Sequence, residues 1–495
     1  MRSVINNQMM FGQVDISTID IDLKSRDDIP KILRGLQSIY TNIELRNRVF
    51  TILEEVRPER KNGTGKVDIN NGRPGMEQWT ILVLGVLRLG LNIDYDRLQE
   101  LVKQHITIRQ MIGLDGWSYK TTYELQTIKD NLRLFTPELL DKINQEVVLA
   151  GHALVKKKDQ ENTVPLIGRG DSFVVETNVH FPADIKQLFD AIRKVIELCA
   201  KLSSQQGLSQ WRQYNHVIRG IKHDLRVIQT LKQSTSKNPE KRAITDQNIK
   251  KAHLQYLGGV DYQLLRAMIT VDEIGHRNPL LQCDIKRYMA HAELQMDQIR
   301  RRVINNEVIP HEEKVFSIFE PHTEWISKGK AGVPVELGLN VCIIEDQYRF
   351  ILHHQVMEKV TDSDIAVSIV METKKRYPNL EGISYDKGFH SPTNQAGLKK
   401  LLKKVVMPKK GKLSNINKAN ESDPEFKRLR KQHSSVESAI NALEVHGLDR
   451  CPDHGIHGFK RYVALAVLGY NIHRLGALLM QKELKRQNRL FNRAA

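Results

Sequence analysis

A long helical stretch interrupts the strand-like segments of this 495-residue chain. Apolar residues alternate from about 166 to 179, which predicts a strand or a strand pair. From about 185 to 307 they recur instead at helical spacing, on stripes wide enough to face a core. Clean alternation returns over 335–345 and 348–356. The pattern therefore predicts a helical bundle inserted into a sheet, and so an α/β fold.

The segments after the insertion complete the predicted sheet. Asp346 and Gln347 form a short connection between two alternating segments, which predicts an antiparallel hairpin. Further segments are predicted in this order: a strand over 315–319, a helix over 363–377, a strand that ends at Asp386, a helix over 394–403, a strand over 405–407 and a helix over 424–445. Strands that alternate with helices in this way indicate a mixed sheet with helices against it.

The N-terminal third is predicted to be helical throughout. Short helices joined by tight turns in a basic protein favour a DNA-binding helix-turn-helix module, and a helical bundle that docks on the rest of the chain is the alternative. We divide the chain into a helical N-terminal DNA-binding region at 1–157, an α/β domain in two segments at 164–184 and 308–458, a helical insertion at 185–307, and a C-terminal helix with a basic tail at 459–495.

Composition narrows the class of partner and the compartment. The formal net charge of +17 predicts a polyanionic partner, with nucleic acid the leading candidate. The four widely spaced cysteines and the absence of a secretory signal at the start are typical of a reducing compartment. Apolar runs such as 462–470 are too short and interrupted to cross a bilayer. We expect a soluble cytoplasmic protein with no membrane span.

Three carboxylates are candidates for a metal site. Asp386 follows a short apolar strand in the run YDKGF, where Gly388 relieves the backbone. Asp171 lies near the start of the first predicted strand, with Glu176 and Asp184 nearby as alternatives. Glu437 lies at the edge of an apolar helical stripe, where an exposed glutamate is ordinarily just solvated. Together they offer the oxygen ligands that hard divalent cations prefer.

The motifs around these carboxylates are similar to those of a known family. They are DSFVVETNVHFPAD at 171–184, VELGLNV at 335–341, YDKGFHSP at 385–392 and SSVESAINALEVHGLDRC at 434–451. SRDDIP at 25–30, GRPGMEQW at 72–79 and TEWISKGKAG at 323–332 extend the similarity over nearly the whole length. In this order they resemble the DDE transposases of bacterial insertion sequences, especially the ISNCY group.

The resemblance implies both a fold and an activity. It implies a ribonuclease-H-like sheet of the retroviral integrase superfamily, with Asp171, Asp386 and Glu437 as catalytic residues and metal ligands. Two Mg²⁺ ions, for which Mn²⁺ substitutes, activate the oxygen nucleophile and stabilise the leaving 3′ oxygen in such enzymes. The implied reaction is cleavage at the ends of a mobile element, followed by attack of the freed 3′-OH on target DNA.

The resemblance also implies partners and a location. These are double-stranded DNA at the transposon ends and the target, a homodimer on that DNA, and a nucleoid-associated position in the bacterial cytoplasm. Two alternatives stay open: a transposase-derived DNA-binding protein that has lost catalysis, and a nuclease that hydrolyses DNA without joining it.

Several basic residues are candidates for DNA contact. Between Asp386 and Glu437 the sequence has 13 Lys or Arg against three acidic residues. Beside a metal site such a basic stretch favours phosphate contact over a merely solvated face. The candidates are Lys328, Lys330, Lys387, Lys409, Lys410, Lys412, Arg430 and His433. Related transposases carry Arg and Lys where this chain has His433 and Glu444, so these two positions depart from the family pattern.

Two further features have competing interpretations. Trp211 is a candidate for stacking on a flipped base, but its place on an apolar stripe favours plain packing. The run CPDHGIH at 451–457 offers three soft ligands for zinc, but it lacks a clear fourth. An ordinary loop before the last helix is the favoured interpretation of that run.

Overall fold

The computed structural model describes residues 3–6, 8, 11–56, 75–115, 120–155, 165–327, 334–412 and 414–494. The chain divides into two compact units. The first contains Met1–Asn178 and Ile326–Ala495, and the second contains Val179–Trp325. The second unit is therefore an insertion, since the chain leaves the first unit and later returns to it.

Helices dominate the N-terminal part of the first unit. Within the described residues, the helices before the first strand are α1 (Asp28–Thr41), α2 (Ile43–Leu53), α3 (Gln78–Gly90), α4 (Tyr95–Gln104), α5 (Ile106–Met111), α6 (Leu125–Leu132) and α7 (Pro137–Val155). Asp27, Asn42 and Asp94 start three of them, each accepting a hydrogen bond from a backbone N–H of the first turn. These side chains satisfy donors that a helix start would otherwise leave unpaired.

The second unit is a helical bundle with its own core. It follows the strand β1 (Leu166–Thr177) and contains α8 (Asp184–Gln205), α9 (Tyr214–Leu231), α10 (Pro239–Ile274) and α11 (Pro279–Ile299). Its apolar side chains form a cluster separate from the core of the first unit. Residues 315–319 form no strand, which corrects the expectation from their sequence; this short apolar segment instead contributes Ile318 to the helical core.

The remaining elements complete a mixed sheet of seven strands. The strands are β2 (Glu324–Ser327), β3 (Val335–Glu345), β4 (Ile351–Val356), β5 (Leu380–Tyr385), β6 (Lys404–Val406) and β7 (Arg450–Cys451). The helices are α12 (Asp362–Arg376), α13 (Pro392–Leu401), α14 (Asn415–Ser422), α15 (Pro424–His433), α16 (Ser435–Leu443) and α17 (Gly455–Ala494). The α/β class expected from the alternating periods is thus confirmed.

The strand pairing combines both directions. β3 is antiparallel to β1 and to β4, which confirms the hairpin predicted around Asp346. β5 is parallel to β1, and β6 is parallel to β5. β7 is parallel to the far end of β1, where Glu176 is opposite Arg450. β1 therefore lies between an antiparallel part and a parallel part of the sheet.

The N-terminal helices and the sheet share one hydrophobic core. The long helix α17 passes through it and packs against α1, α3 and α7. By length and composition α17 is able to cross a membrane, with a mean hydropathy of 1.4 over an 18-residue window, and 67% of that window is buried in the protein. The apolar run at 462–470 is thus part of a longer apolar helix, and a mostly buried core helix passes the same test of length and composition.

The helix predicted over 424–445 is divided in two. α15 ends at His433 and α16 begins at Ser435, while a π-type turn over Glu444–Leu448 follows α16. Within that turn Gly447 has a φ of 107°, a conformation that favours glycine. The division matters because α16 carries Glu437.

Candidate active site

The parallel pairing of β1 with β5 places Asp171 beside Asp386. Gly170 pairs with Tyr385; Asp171 is the next residue on β1, and Asp386 is the first residue after β5. A Cβ atom at Gly170 would lie 2.1 Å from the Cε1 atom of Tyr385. Glycine therefore allows the Tyr385 ring to pack directly against β1, and the neighbouring strand ends stay close.

The turn after β5 holds the Asp386 carboxylate in place. Asp386 Oδ1 accepts a hydrogen bond from the backbone N–H of Gly388 at 2.6 Å. The Phe389 ring stacks on Tyr385, with 4.3 Å between centroids and 17° between planes. Tyr385 in turn donates its hydroxyl to the Ala366 carbonyl at 3.1 Å. Asp386 is exposed, but its backbone is anchored in the core beneath it.

Glu437 is held near the sheet by a polar contact at the start of α16. Ser435 accepts a hydrogen bond from the Arg169 guanidinium and donates to Glu345 Oε2 at 3.3 Å. Arg169 also pairs with Glu345 at 3.4 Å. Arg169 and Glu345 lie on β1 and β3 and are both buried. This group fixes the helix start two residues before Glu437.

The charges of three neighbouring carboxylates act on the Asp171 carboxyl. Burial raises the pKa of Asp171 from 3.8 to about 7, and the charges of Asp386, Asp362 and Glu437 add to the rise. A hydrogen bond of 2.8 Å from the Ser172 N–H opposes it. The charges of Asp386 and Glu437, the other two residues singled out from the sequence, therefore act on the Asp171 carboxyl.

A fourth carboxylate, Asp362, was not identified as a site residue from the sequence. It is the first residue of α12, and its Oδ1 accepts a hydrogen bond from the Ser172 hydroxyl at 2.6 Å. Its Oδ2 would lie 3.2 Å from a Cβ atom added at Gly388, next to Asp386. An aspartate at a helix start is usually explained by the helix dipole, so the sequence carried no signal for this position.

His433 lies between the sheet and the candidate site. Its Nδ1 is 3.1 Å from the Ser384 hydroxyl on β5. Burial lowers its pKa, although the charges of Asp386 and Glu437 oppose that shift. The lowered pKa favours the neutral imidazole near pH 7.

The predicted DNA-contacting residues lie in several surroundings. Lys387 is exposed in the turn after Asp386, and Lys410 Nζ lies 3.4 Å from the Gly388 carbonyl of the same turn. Glu421 joins Lys409 and Arg430, accepting from the Lys409 backbone N–H at 3.1 Å and from Arg430 at 3.5 Å. Lys412 is exposed. Lys328 and Lys330 lie outside the described residues.

Trp211 belongs to the core of the second unit. It is 3% exposed, and its indole N–H donates to the Thr270 hydroxyl at 2.9 Å. The Arg266 guanidinium covers its ring at 4.3 Å. These contacts agree with the plain packing that the place of Trp211 on an apolar stripe favoured, since a ring this buried offers little face for a base.

The donor set around Asp171 suits a hard divalent cation. Over the described part of the chain, no group of three or more His, Cys, Asp or Glu side chains forms a ready metal cluster, and this applies equally to Cys451, His454 and His457. Asp171 and its three neighbours Asp362, Asp386 and Glu437 nevertheless all offer oxygen donors, and burial together with repulsion from the other three raises the pKa of Asp171. A cation would relieve that repulsion, so these residues fit Mg²⁺ or Mn²⁺.

No protein-family model, curated protein or solved structure matches the chain.

Proposed function

We propose that this protein is a DDE-type DNA transposase with a ribonuclease-H-like sheet. It cuts DNA at the ends of a mobile element and joins the freed 3′-OH to target DNA. One observation carries the proposal: the register of β1 and β5 makes Asp171 and Asp386 neighbours, and the charge of Glu437 acts on the same Asp171 carboxyl. The spacing in sequence alone does not require this meeting of three distant residues.

Asp171, Asp386 and Glu437 are the residues that would hold two Mg²⁺ ions, with Mn²⁺ as a substitute. When bound, such ions supply Lewis-acid stabilisation of phosphate oxygens and a water or 3′-OH that is more readily deprotonated. Asp362 adds negative charge beside them through its contact with Ser172.

Other side chains of the site act on the DNA. Lys387 and Lys410 lie at the turn after Asp386, where their charge attracts the backbone phosphate. Neutral His433 has one ring nitrogen beside Ser384, and the ring is fixed near Asp386 and Glu437. It orients a polar group by hydrogen bonding and adds no positive charge. The partners are double-stranded DNA and a second copy of the chain, in the cytoplasm of a bacterium.

The test is cleavage and joining by the purified full-length protein. The substrate is labelled duplex DNA that carries the sequences flanking the gene, incubated with Mg²⁺ or Mn²⁺. Asp171→Asn, Asp386→Asn and Glu437→Gln are expected to lose cleavage and joining while DNA binding stays. Glu372→Gln is the matched control, since Glu372 is an exposed carboxylate on α12 that pairs only with Lys375 at 2.6 Å among the ion pairs seen in the described chain.

The outcomes separate the rival functions. Cleavage followed by strand-transfer products supports the proposal. Cleavage without joining overturns it in favour of a nuclease, and binding without cleavage overturns it in favour of an inactive DNA-binding protein. Full activity in Asp386→Asn would remove the assigned site.

A further inference from the structure

A basic cleft of about 970 Å³ lies in the first unit, away from the candidate active site. It is lined by residues of α3, α4 and α6, by the loop after β7 and by the first turns of α17. Its cationic residues are Arg88, Lys129, Arg133, Arg450 and Arg461, and its acidic residues are Asp94 and Asp453. The excess of positive charge favours an anionic ligand.

The floor of the basic cleft is rigidly built. Asp453 accepts from Arg88 at 3.2 Å and from Arg461 at 3.0 Å. The Arg88 guanidinium also lies 4.0 Å from the ring centroid of Tyr95 and 5.3 Å from that of Tyr462. These contacts hold two cations in fixed positions, so binding an anion requires little reordering of them.

One buried donor in the floor lacks an acceptor. Arg88 is only 5% exposed, and among the described residues its Nε has no hydrogen-bond partner. A buried N–H without an acceptor is costly, and an oxygen atom of a ligand entering the cleft would satisfy it. The first turn of α17 also lines the cleft. The unpaired backbone N–H groups of a helix N-terminus attract anions.

The cations at the mouth of the basic cleft are less buried than Arg88. The Arg133 side chain is 62% exposed, and its nearest acid, Asp130, is 3.9 Å away. Lys129 Nζ lies 5.4 Å from the centroid of Tyr95. Arg450 pairs with Glu176 at 2.7 Å, which ties this side of the cleft to the end of β1. A volume of about 970 Å³ leaves room for a phosphate group among these cations.

The position of the cleft relates it to the carboxylates. Glu176 lies five residues beyond Asp171 on the same strand, roughly 16 Å at about 3.3 Å per residue. That separation corresponds to about five base pairs of duplex, since each strand carries one phosphate per roughly 3.4 Å. A duplex that runs along β1 from the carboxylates would therefore present further phosphates near Glu176 and its partner Arg450.

We propose that the basic cleft binds backbone phosphates of the same DNA duplex that occupies the candidate active site. The choice of DNA rests on the proposed function, whereas the preference for phosphate rests on the cleft itself. The assignment also gives the CPDHGIH run a role: it shapes the loop in which Asp453 clamps Arg88 and Arg461.

The test measures binding of a labelled duplex of about 30 base pairs to the full-length protein by fluorescence anisotropy. EDTA is present, so cleavage does not contribute, and KCl is varied. Lys129→Ala/Arg133→Ala removes two cations at the mouth. The matched control Lys375→Ala/Arg287→Ala also removes one lysine and one arginine, each of which is paired with an acid three residues away.

The expected result is weaker binding by the cleft variant and a salt slope shallower by about two, since each lost phosphate contact reduces it by about 0.9. The control keeps the wild-type slope, and both variants keep the wild-type melting temperature. An unchanged slope in the cleft variant overturns the proposal. The binding assay needs no metal, so the two proposals can fail separately. If the cleft variant shows the shallower salt slope but the wild type does not cleave DNA in the cleavage assay, the proposed function is refuted and the assignment of the cleft as a phosphate site stands.

Discussion

The hydroxyl of Ser172 donates a hydrogen bond of 2.6 Å to the carboxylate of Asp362. The contact links β1, next to Asp171, with the first residue of α12. It brings a fourth negative charge within range of Asp171, in addition to Asp386 and Glu437. The site therefore has one more acidic residue than its three-carboxylate motif implies.

Replacing Asp362 by asparagine is expected to weaken Mn²⁺ binding. Asparagine can still accept from Ser172, but the negative charge is lost, and changes beside metal ligands typically cost about 10- to 100-fold in affinity. Titration of Mn²⁺ followed by electron paramagnetic resonance measures the effect directly. Glu372→Gln removes a charge from the same helix at a distance of about 15 Å and should bind Mn²⁺ as the wild type does. Equal affinities in the two variants would contradict the role given to Asp362.

The stability of the metal-free protein should fall as the pH rises through the range in which Asp171 ionises. Burial and the neighbouring carboxylates raise its pKa from 3.8 to about 7 in the folded state. Between these values the folded protein retains a proton that the unfolded chain releases, so the free energy of unfolding decreases with rising pH. Asp171→Asn removes this penalty and should melt higher than the wild type in EDTA near pH 8, but not near pH 4.

The pKa of Asp364 is lowered, so its effect on the pH dependence of stability is opposite to that of Asp171. The Thr361 backbone N–H lowers its pKa through a hydrogen bond of 2.7 Å. Its contribution to stability is present above the unfolded pKa and is lost as the pH falls through the lowered value. Asp364→Asn should therefore melt lower than the wild type near pH 8. A melting difference for Asp171→Asn that is constant from pH 4 to pH 8 would argue against the buried-carboxylate explanation.

Arg169 is expected to position Glu437 as well as to stabilise the sheet. Arg169→Met leaves Glu345 buried without its cation, which costs about 3–5 kcal/mol. The double variant Arg169→Met/Glu345→Met removes both charges and should recover most of the melting temperature. It still lacks the Arg169 contact to Ser435, so DNA cleavage should stay low. Recovery of both stability and kcat would show that Arg169 is structural only.

Asn471 is expected to stabilise the start of β4, where its side chain bonds the backbone of Ile351. It is fully buried, its Nδ2 donates to the Ile351 carbonyl at 2.8 Å, and its Oδ1 accepts from the Ile351 N–H at 3.0 Å. Nδ2 also lies 2.7 Å from Asn144 Oδ1. Asn471→Ala leaves these groups unsatisfied and should cost about 2–4 kcal/mol.

Hydrogen exchange gives a local measurement of the Asn471 effect. A peptide covering β4 should exchange faster in Asn471→Ala, because the Ile351 N–H loses its acceptor. Asn488→Ala is the control on the same helix, where the side chain is exposed and substitution typically changes stability by less than about 0.5 kcal/mol. Equal exchange in both variants would contradict the prediction.

Much of the architecture could be predicted from local patterns. The alternating segments at 335–345 and 348–356 predicted the hairpin, and the helical stripes after 185 predicted the inserted bundle. Periodicity is informative because the face that a strand or helix buries repeats along the chain. It did not predict the break between α15 and α16. It also did not predict that α17 is long and apolar along much of its length and mostly buried there.

The sequence by itself determined which residue types are present and in what order, including the carboxylates at 171, 386 and 437. Only the tertiary structure decided that Asp362 lies beside Ser172, next to Asp171, and that Arg169 and Glu345 hold the start of α16. The physical reason is that hydrophobic periodicity acts over a few neighbouring residues, whereas charge and hydrogen bonding act between residues that strand pairing brings together from distant parts of the chain.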